Sequence, residues 1–79
     1  MTETTASLDI WVFESIHRVL ALEGHIRAAS IWYDLIPTPT HISTDCGVVL
    51  ATRPTDREII QELLQRHRAI LGHVWWIWV

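Results

Sequence analysis

Cys46 is the only cysteine of the 79-residue chain, so no disulfide can form within it. A lone thiol is either inert filling in a core or a nucleophile. Its reactive form is the thiolate, which a helix N-terminus or an imidazole stabilises and a nearby carboxylate opposes. Gly47 follows directly and lets a backbone or a small ligand approach closely. Ser43, Thr44 and Asp45 have the character of turn residues, and no base accompanies them in a serine-hydrolase pattern. The five histidines (His17, His25, His41, His67, His73) show neither H-x3-H nor C-x2-C spacing. No metal site and no cofactor is therefore expected. His17 and His25 are two helical turns apart, too far to share an ion.

The elements that must position Cys46 follow from periodicity. Asp9–Glu14 is β-branched and aromatic and reads as a strand. Ser15 then offers an N-cap, and Val19, Leu20, Leu22, Ile26 and Ala29 recur at helical spacing. Ile31–Ile36 reads as a second strand, stopped by Pro37-Thr38-Pro39, with a polar loop over Thr38–Asp45. Cys46–Ala51 reads as a third strand. After Pro54, Thr55-Asp56-Arg57-Glu58 forms a capping box for a second helix, whose apolar face is Ile59, Ile60, Leu63 and Leu64. Glu62 and Arg66 form an i,i+4 pair, and Arg66, His67 and Arg68 suit the C-terminal end of the helix dipole. Gly72 ends that helix, and His73–Val79 reads as a fourth strand.

The order β-α-β-β-α-β with right-handed crossovers predicts an α+β, ferredoxin-like sandwich. Its four-stranded antiparallel sheet has strand order 4-1-3-2, with both helices on one face. One domain spans residues 1–79, with residues 1–7 as a flexible N-terminus. This topology brings Cys46 beside Ser15, Ile16 and His17 at the start of the first helix, and the Pro37–Asp45 loop closes over the same end. Arg18 is the best-placed base there, whereas Asp45 and Glu14 bring negative charge.

Composition narrows the partners. The net charge is −3, and the six basic residues are all Arg, with a sequence pI near 5.9. That balance argues against nucleic acid or an anionic membrane. Val48–Ala51 also lacks the basic and aromatic residues of an RNA-binding third strand. No stretch reaches the ~20 apolar residues of a membrane helix, and Met1–Ser7 lacks signal-peptide features. A cytoplasmic protein is expected.

Five of the aromatic residues are Trp, and along the strands both sheet faces read as apolar. Val74, Trp76 and Trp78 alternate with His73, Trp75 and Ile77. Trp11 and Phe13 oppose Ile10 and Val12, and Trp32 and Ile36 oppose Ile31, Tyr33 and Leu35. A chain of this size cannot bury two faces alone. Trp11, Trp32, Trp75, Trp76 and Trp78 are therefore expected to form an interface, most simply in a homo-oligomer joined through the open face or the fourth strand's edge.

Three runs are distinctive together: Phe13-Glu14-Ser15-Ile16-His17, Leu35-Ile36-Pro37-Thr38-Pro39 and Ile42-Ser43-Thr44-Asp45-Cys46-Gly47. Over Val12 to Arg53 the chain resembles the selenium/sulfur carrier-like domain family. The resemblance implies that Cys46 holds a persulfide or its selenium counterpart and passes the atom from a donor protein to an acceptor protein. It implies that Ser15, His17, Pro37, Thr38, Pro39, Ser43 and Gly47 surround it. Three positions depart from the family pattern. Thr40 stands for a basic residue, Asp45 for a small hydroxyl residue and Ile16 for threonine. The competing expectation is a structural module that assembles through its Trp residues, with Cys46 merely packed.

Overall fold

Strand-forming and helix-forming runs alternate in the chain as the periodicity predicts, and the computed structural model turns them into two layers. It describes residues 7–38 and 47–78. The elements are β1 (Asp9–Phe13), α1 (Ile16–Ala28), β2 (Tyr33–Pro37), β3 (Val48–Thr52), a 3-10 turn (Pro54–Asp56), α2 (Arg57–Arg66), α3 (Arg68–Leu71) and β4 (Val74–Trp78). The sheet order is β2-β3-β1-β4, and every pairing is antiparallel. This is the predicted 4-1-3-2 order.

Strand alternation divides the apolar residues between two clusters. Trp11, Phe13 and Leu50 point toward the helices and pack with Val19, Leu22 and Ile26 of α1, Ile60 of α2 and Leu71 of α3. Ile10, Val12, Val49 and Ala51 form the second cluster, to which no helix residue contributes. The helices therefore cover one face. The far face is not bare: those four side chains are 0–4% exposed and pack with half-buried Leu8, Ile36 and Ile77. The expectation that this face must wait for a second copy fails for the two central strands. Their small and β-branched side chains are shielded by larger flanking neighbours.

The element boundaries depart from expectation in several places. β2 begins at Tyr33, which leaves Trp32 outside the strand, and β3 runs from Val48 to Thr52. Ser15 does occupy the N-cap position of α1, but its side chain makes no capping bond. The Thr55 capping box does not form either. Pro54–Asp56 winds as a 3-10 turn, and Asp56 becomes the uncapped N-cap of α2. The second helix breaks at His67 (φ −110°, ψ 26°) into α2 and α3. Leu20 and Ile59, expected on apolar faces, are 49% and 47% exposed.

One partly buried ion pair ties the helix layer to the sheet, and one buried hydrogen bond ties two of its strands. Asp9 has no exposed side-chain surface, yet Arg57 meets both of its carboxylate oxygens at 2.9 Å. Trp11 Nε1 donates to Thr52 Oγ1 at 2.9 Å between two buried side chains. Gly72 has φ +70°, a backbone conformation that calls for glycine, and the ends of the Arg18 and Glu14 side chains fill the space where a Cβ would stand.

The end of α1 is a Schellman turn. Ile31 N–H donates to the Ile26 carbonyl and Ser30 N–H to that of Arg27, each at 3.1 Å. Ser30 takes the left-handed position, φ 59°, which glycine usually fills. Ile31 packs beside Ile26 in the core, the apolar contact that accompanies this motif.

Two stability outcomes are expected in chemical denaturation. Ser30→Gly relieves the left-handed strain and raises stability by up to about 1 kcal/mol. Thr52→Val keeps the shape but strands the buried indole N–H, and lowers stability by about 1–3 kcal/mol.

Candidate functional site

The register that sets Trp11 opposite Leu50 carries the C-terminal end of β1 to the start of β3. Glu14, Ser15 and Gly47 therefore leave the sheet at one end. β2 arrives at the same end, because Pro37 pairs with Val48. Beyond that pair Thr38 N–H donates to the Gly47 carbonyl at 3.2 Å. The two residues that flank 39–46 are thus clasped together. Pro39, Ser43 and Cys46, like Thr40 and Asp45, lie outside the described residues.

Of the predicted site, the structure brings together Ser15, His17, Pro37, Thr38 and Gly47 at this end of the sheet. Ser15 is extended (φ −156°, ψ 160°), and its carbonyl accepts from the N–H groups of Arg18 and Val19 at 3.2 and 3.3 Å. Its hydroxyl leaves the first helical amides uncapped. Unpaired N–H groups at a helix start carry partial positive charge. His17 and Gly47 are exposed, while Ser15 and Thr38 are half-buried.

Arg18 does not face this cluster. Its guanidinium donates to the Ile70 carbonyl at 2.8 Å and meets Glu14 at 3.5 Å. Both side chains pack where Gly72 leaves space, on the α3 side of α1. The expected base is therefore committed elsewhere, and the expected opposing carboxylate, Glu14, already has a cation beside it. The pair is partly exposed, so its effect is local and screened.

The tryptophans do not share one face. Trp11 is 2% exposed in the core under the helices. It is unavailable to any surface, contrary to its predicted interface role. Trp76 pairs with Trp11 in the sheet, and the rings stack with centroids 6.1 Å apart. Trp75 pairs with Val12 on the far face. Trp32 lies before β2 with the Arg53 guanidinium 5.1 Å from its ring. Strand alternation makes this split unavoidable, because consecutive residues point to opposite faces. The backbone of Trp78 pairs with Asp9.

Two arrangements escaped the sequence. The Asp9–Arg57 pair had a faint signal: an acidic residue opening an apolar strand and an Arg at the unfavourable N-terminal end of a helix. The rings of His25 and His67, far apart in sequence, stack with centroids 3.7 Å apart. No spacing rule could reveal that contact. Among the described residues no group of three or more His, Cys, Asp or Glu could hold a metal ion. None of their helices is long and apolar enough to cross a membrane. A cleft of about 210 Å³ lies between Leu64, Gln65, Arg68, Gly72, His73 and Val74, and none of the predicted site residues lines it.

No curated protein and no solved structure matches the chain. A family model does: the one described as Putative Se/S carrier protein-like matches residues 10–71. The match covers most of the chain and runs from β1 through α3, across both flanks of the Ser15–Gly47 cluster. The chain belongs to the Putative Se/S carrier protein-like family.

Proposed function

We propose that the protein is a sulfur or selenium carrier that holds the atom on Cys46 and hands it from a donor protein to an acceptor protein. The observation that carries this reading is the family match across residues 10–71. The uncapped start of α1 and the imidazole of His17 stand at the end of the fold where Gly47, bonded to Cys46 in the chain, enters β3. The step needs no outside oxidant. Cys46 thiolate attacks the terminal sulfur of a donor persulfide; the new S–S bond forms as the donor's S–S bond breaks. The donor leaves as its thiolate, and Cys46 becomes a persulfide. An acceptor thiolate then repeats the exchange and frees Cys46. A selenium atom in the terminal position follows the same course. The chain is a carrier and not a turnover catalyst, and a reducing compartment such as the cytoplasm keeps the lone thiol available.

Helix-start amides favour a nearby negative charge by about 0.3–1 kcal/mol, a few tenths of a pKa unit. The thiol of Cys46 is accordingly expected to titrate below the ordinary value of about 8.5. Alkylation of the native protein, followed by mass spectrometry against pH, measures this. His17→Ala is expected to slow the reaction near neutral pH, and Cys46→Ser to abolish loading from a persulfide donor. A thiol that titrates at or above its ordinary value, or loading that survives Cys46→Ser, overturns the reading.

A second reading is compatible with the first: copies of the chain associate along β4. This edge strand carries Trp75 and Trp76 at 47% and 43% exposure and contains neither charge nor proline. The opposite edge, β2, carries Asp34 and Pro37, which discourage strand addition. Light scattering at micromolar concentration is expected to find a dimer or larger species. Trp75→Glu, which spares the Trp76–Trp11 stack, is expected to disperse it without unfolding. A monomeric native protein removes this reading.

A further inference from the structure

α3 is a single turn of four residues, Arg68–Leu71, too short to be stable alone. It is secured at both ends. At its C-terminal end Arg18 donates to the Ile70 carbonyl at 2.8 Å, and Gly72 closes over the Glu14 and Arg18 side chains. At its N-terminal end His67 breaks the helix, and its carbonyl accepts from Ile70 and Leu71 N–H at 3.0 and 2.9 Å. The ring of that same His67 lies on His25 of α1, with centroids 3.7 Å apart and planes 12° from parallel.

Two imidazoles in face-to-face contact are a conditional joint. Neutral rings attract by dispersion, and one proton can be accommodated on the pair. Two like charges at this separation repel strongly, because no water fits between the rings to screen them. The charged groups on the elements around the pair are of both signs, and the one that acts on His67 besides His25 is the cation Arg66. On α2, Arg66 adds further positive charge, and its neighbour Glu62 is already engaged by it at 3.1 Å. On α3, Arg68 follows His67 directly. On α1, Glu23 is held at 2.6 Å by the hydroxyl of Tyr33, on β2, and Arg27 is a cation. Burial, then His25 and then Arg66 push His67 below its ordinary value.

We propose that the His25–His67 stack is a pH-sensitive latch: it holds α3 against α1 while the pair carries at most one proton, and releases α3 when both rings are protonated. Release frees the Ile70 carbonyl from Arg18 and so loosens the first turn of α1, three residues from Ser15. The direction follows from linkage. The unfolded chain takes up the proton of His67 near pH 6.5, and the folded chain only at lower pH. The stabilisation is therefore complete above about pH 6.5 and declines as pH falls below that value through the lowered folded pKa. The latch does not depend on what Cys46 carries.

The test is amide hydrogen exchange of Ile70, Leu71 and Gly72 by NMR at about pH 7.5 and about pH 5, corrected for intrinsic exchange. Protection of these amides is expected to fall several-fold at the lower pH. His67→Phe keeps a planar ring that cannot titrate, and its protection is expected to stay constant. Equal loss in both proteins, or no loss in the native one, overturns the proposal. Should His67→Phe fail to fold, the imidazole titration of the native protein decides. Two separated steps, the lower one below 6.5, support the latch; two independent steps near 6.5 overturn it.

Discussion

The fold hangs on one buried carboxylate. Asp9 stands at the start of β1, on the helix side of the sheet, with no exposed side-chain surface. A charge there is untenable alone, so whichever element covers it must bring a cation. Arg57 does so from the first residue of α2, a position where the helix dipole disfavours positive charge. The bidentate contact overrides that penalty, and its hydrogen bonds to Asp9 hold the guanidinium above its ordinary pKa against the opposing effect of burial. The same guanidinium lies 4.6 Å from the ring of Trp76, which stacks on Trp11, which is bonded to Thr52. One ion pair thus fixes the start of α2 relative to β4, β1 and β3.

That closure sits at the end of the sheet opposite to Ser15 and Gly47. At the far end the chain leaves β1, enters α1, leaves β2 and enters β3. Among the described residues that end carries the Thr38–Gly47 clasp and the uncapped start of α1. Neither buries a charge, and His17 and Gly47 are exposed. An exposed end built on a sheet that is anchored elsewhere can meet partners without unsettling the core.

Periodicity carried the element order and the sheet topology, because each strand and helix buries a face that its own sequence displays. It also brought the end of β1 and the start of β3 to one end of the sheet, as their antiparallel register requires; Cys46 itself lies outside the described residues. What it missed depends on contacts between elements. The break at His67 reflects the demands of α1 and of the Gly72 turn, and no residue in the second helix pattern announces it. Alternation along the strands showed two apolar faces, but which of them the helices cover, and so that Trp11 is core and not interface, is decided by contacts between elements. Trp75 and Trp76 are adjacent, so a strand must send them to opposite faces. Arg18 looked available because spacing shows who is near on a helix, and cannot show that a carbonyl of α3 already claims it.

The arrangement of the arginines bears on what kind of site this can be. Arg57 is committed to Asp9, Arg18 to Glu14 and Ile70, Arg66 to Glu62 and Arg53 to the face of Trp32. None of these is directed at the start of β3. A proposed anion beside Gly47 would draw on backbone amides and His17 rather than on any of these four arginines. On the carrier reading this restraint is useful. A thiolate held strongly by a fixed cation is a weaker nucleophile, because nucleophilicity falls as the thiol pKa falls. A thiol lowered only slightly stays close to ambient pH, where attack on a donor and departure to an acceptor are both fast. A carrier has to perform both steps, and a site poised by dipoles serves each better than one committed to the charged state.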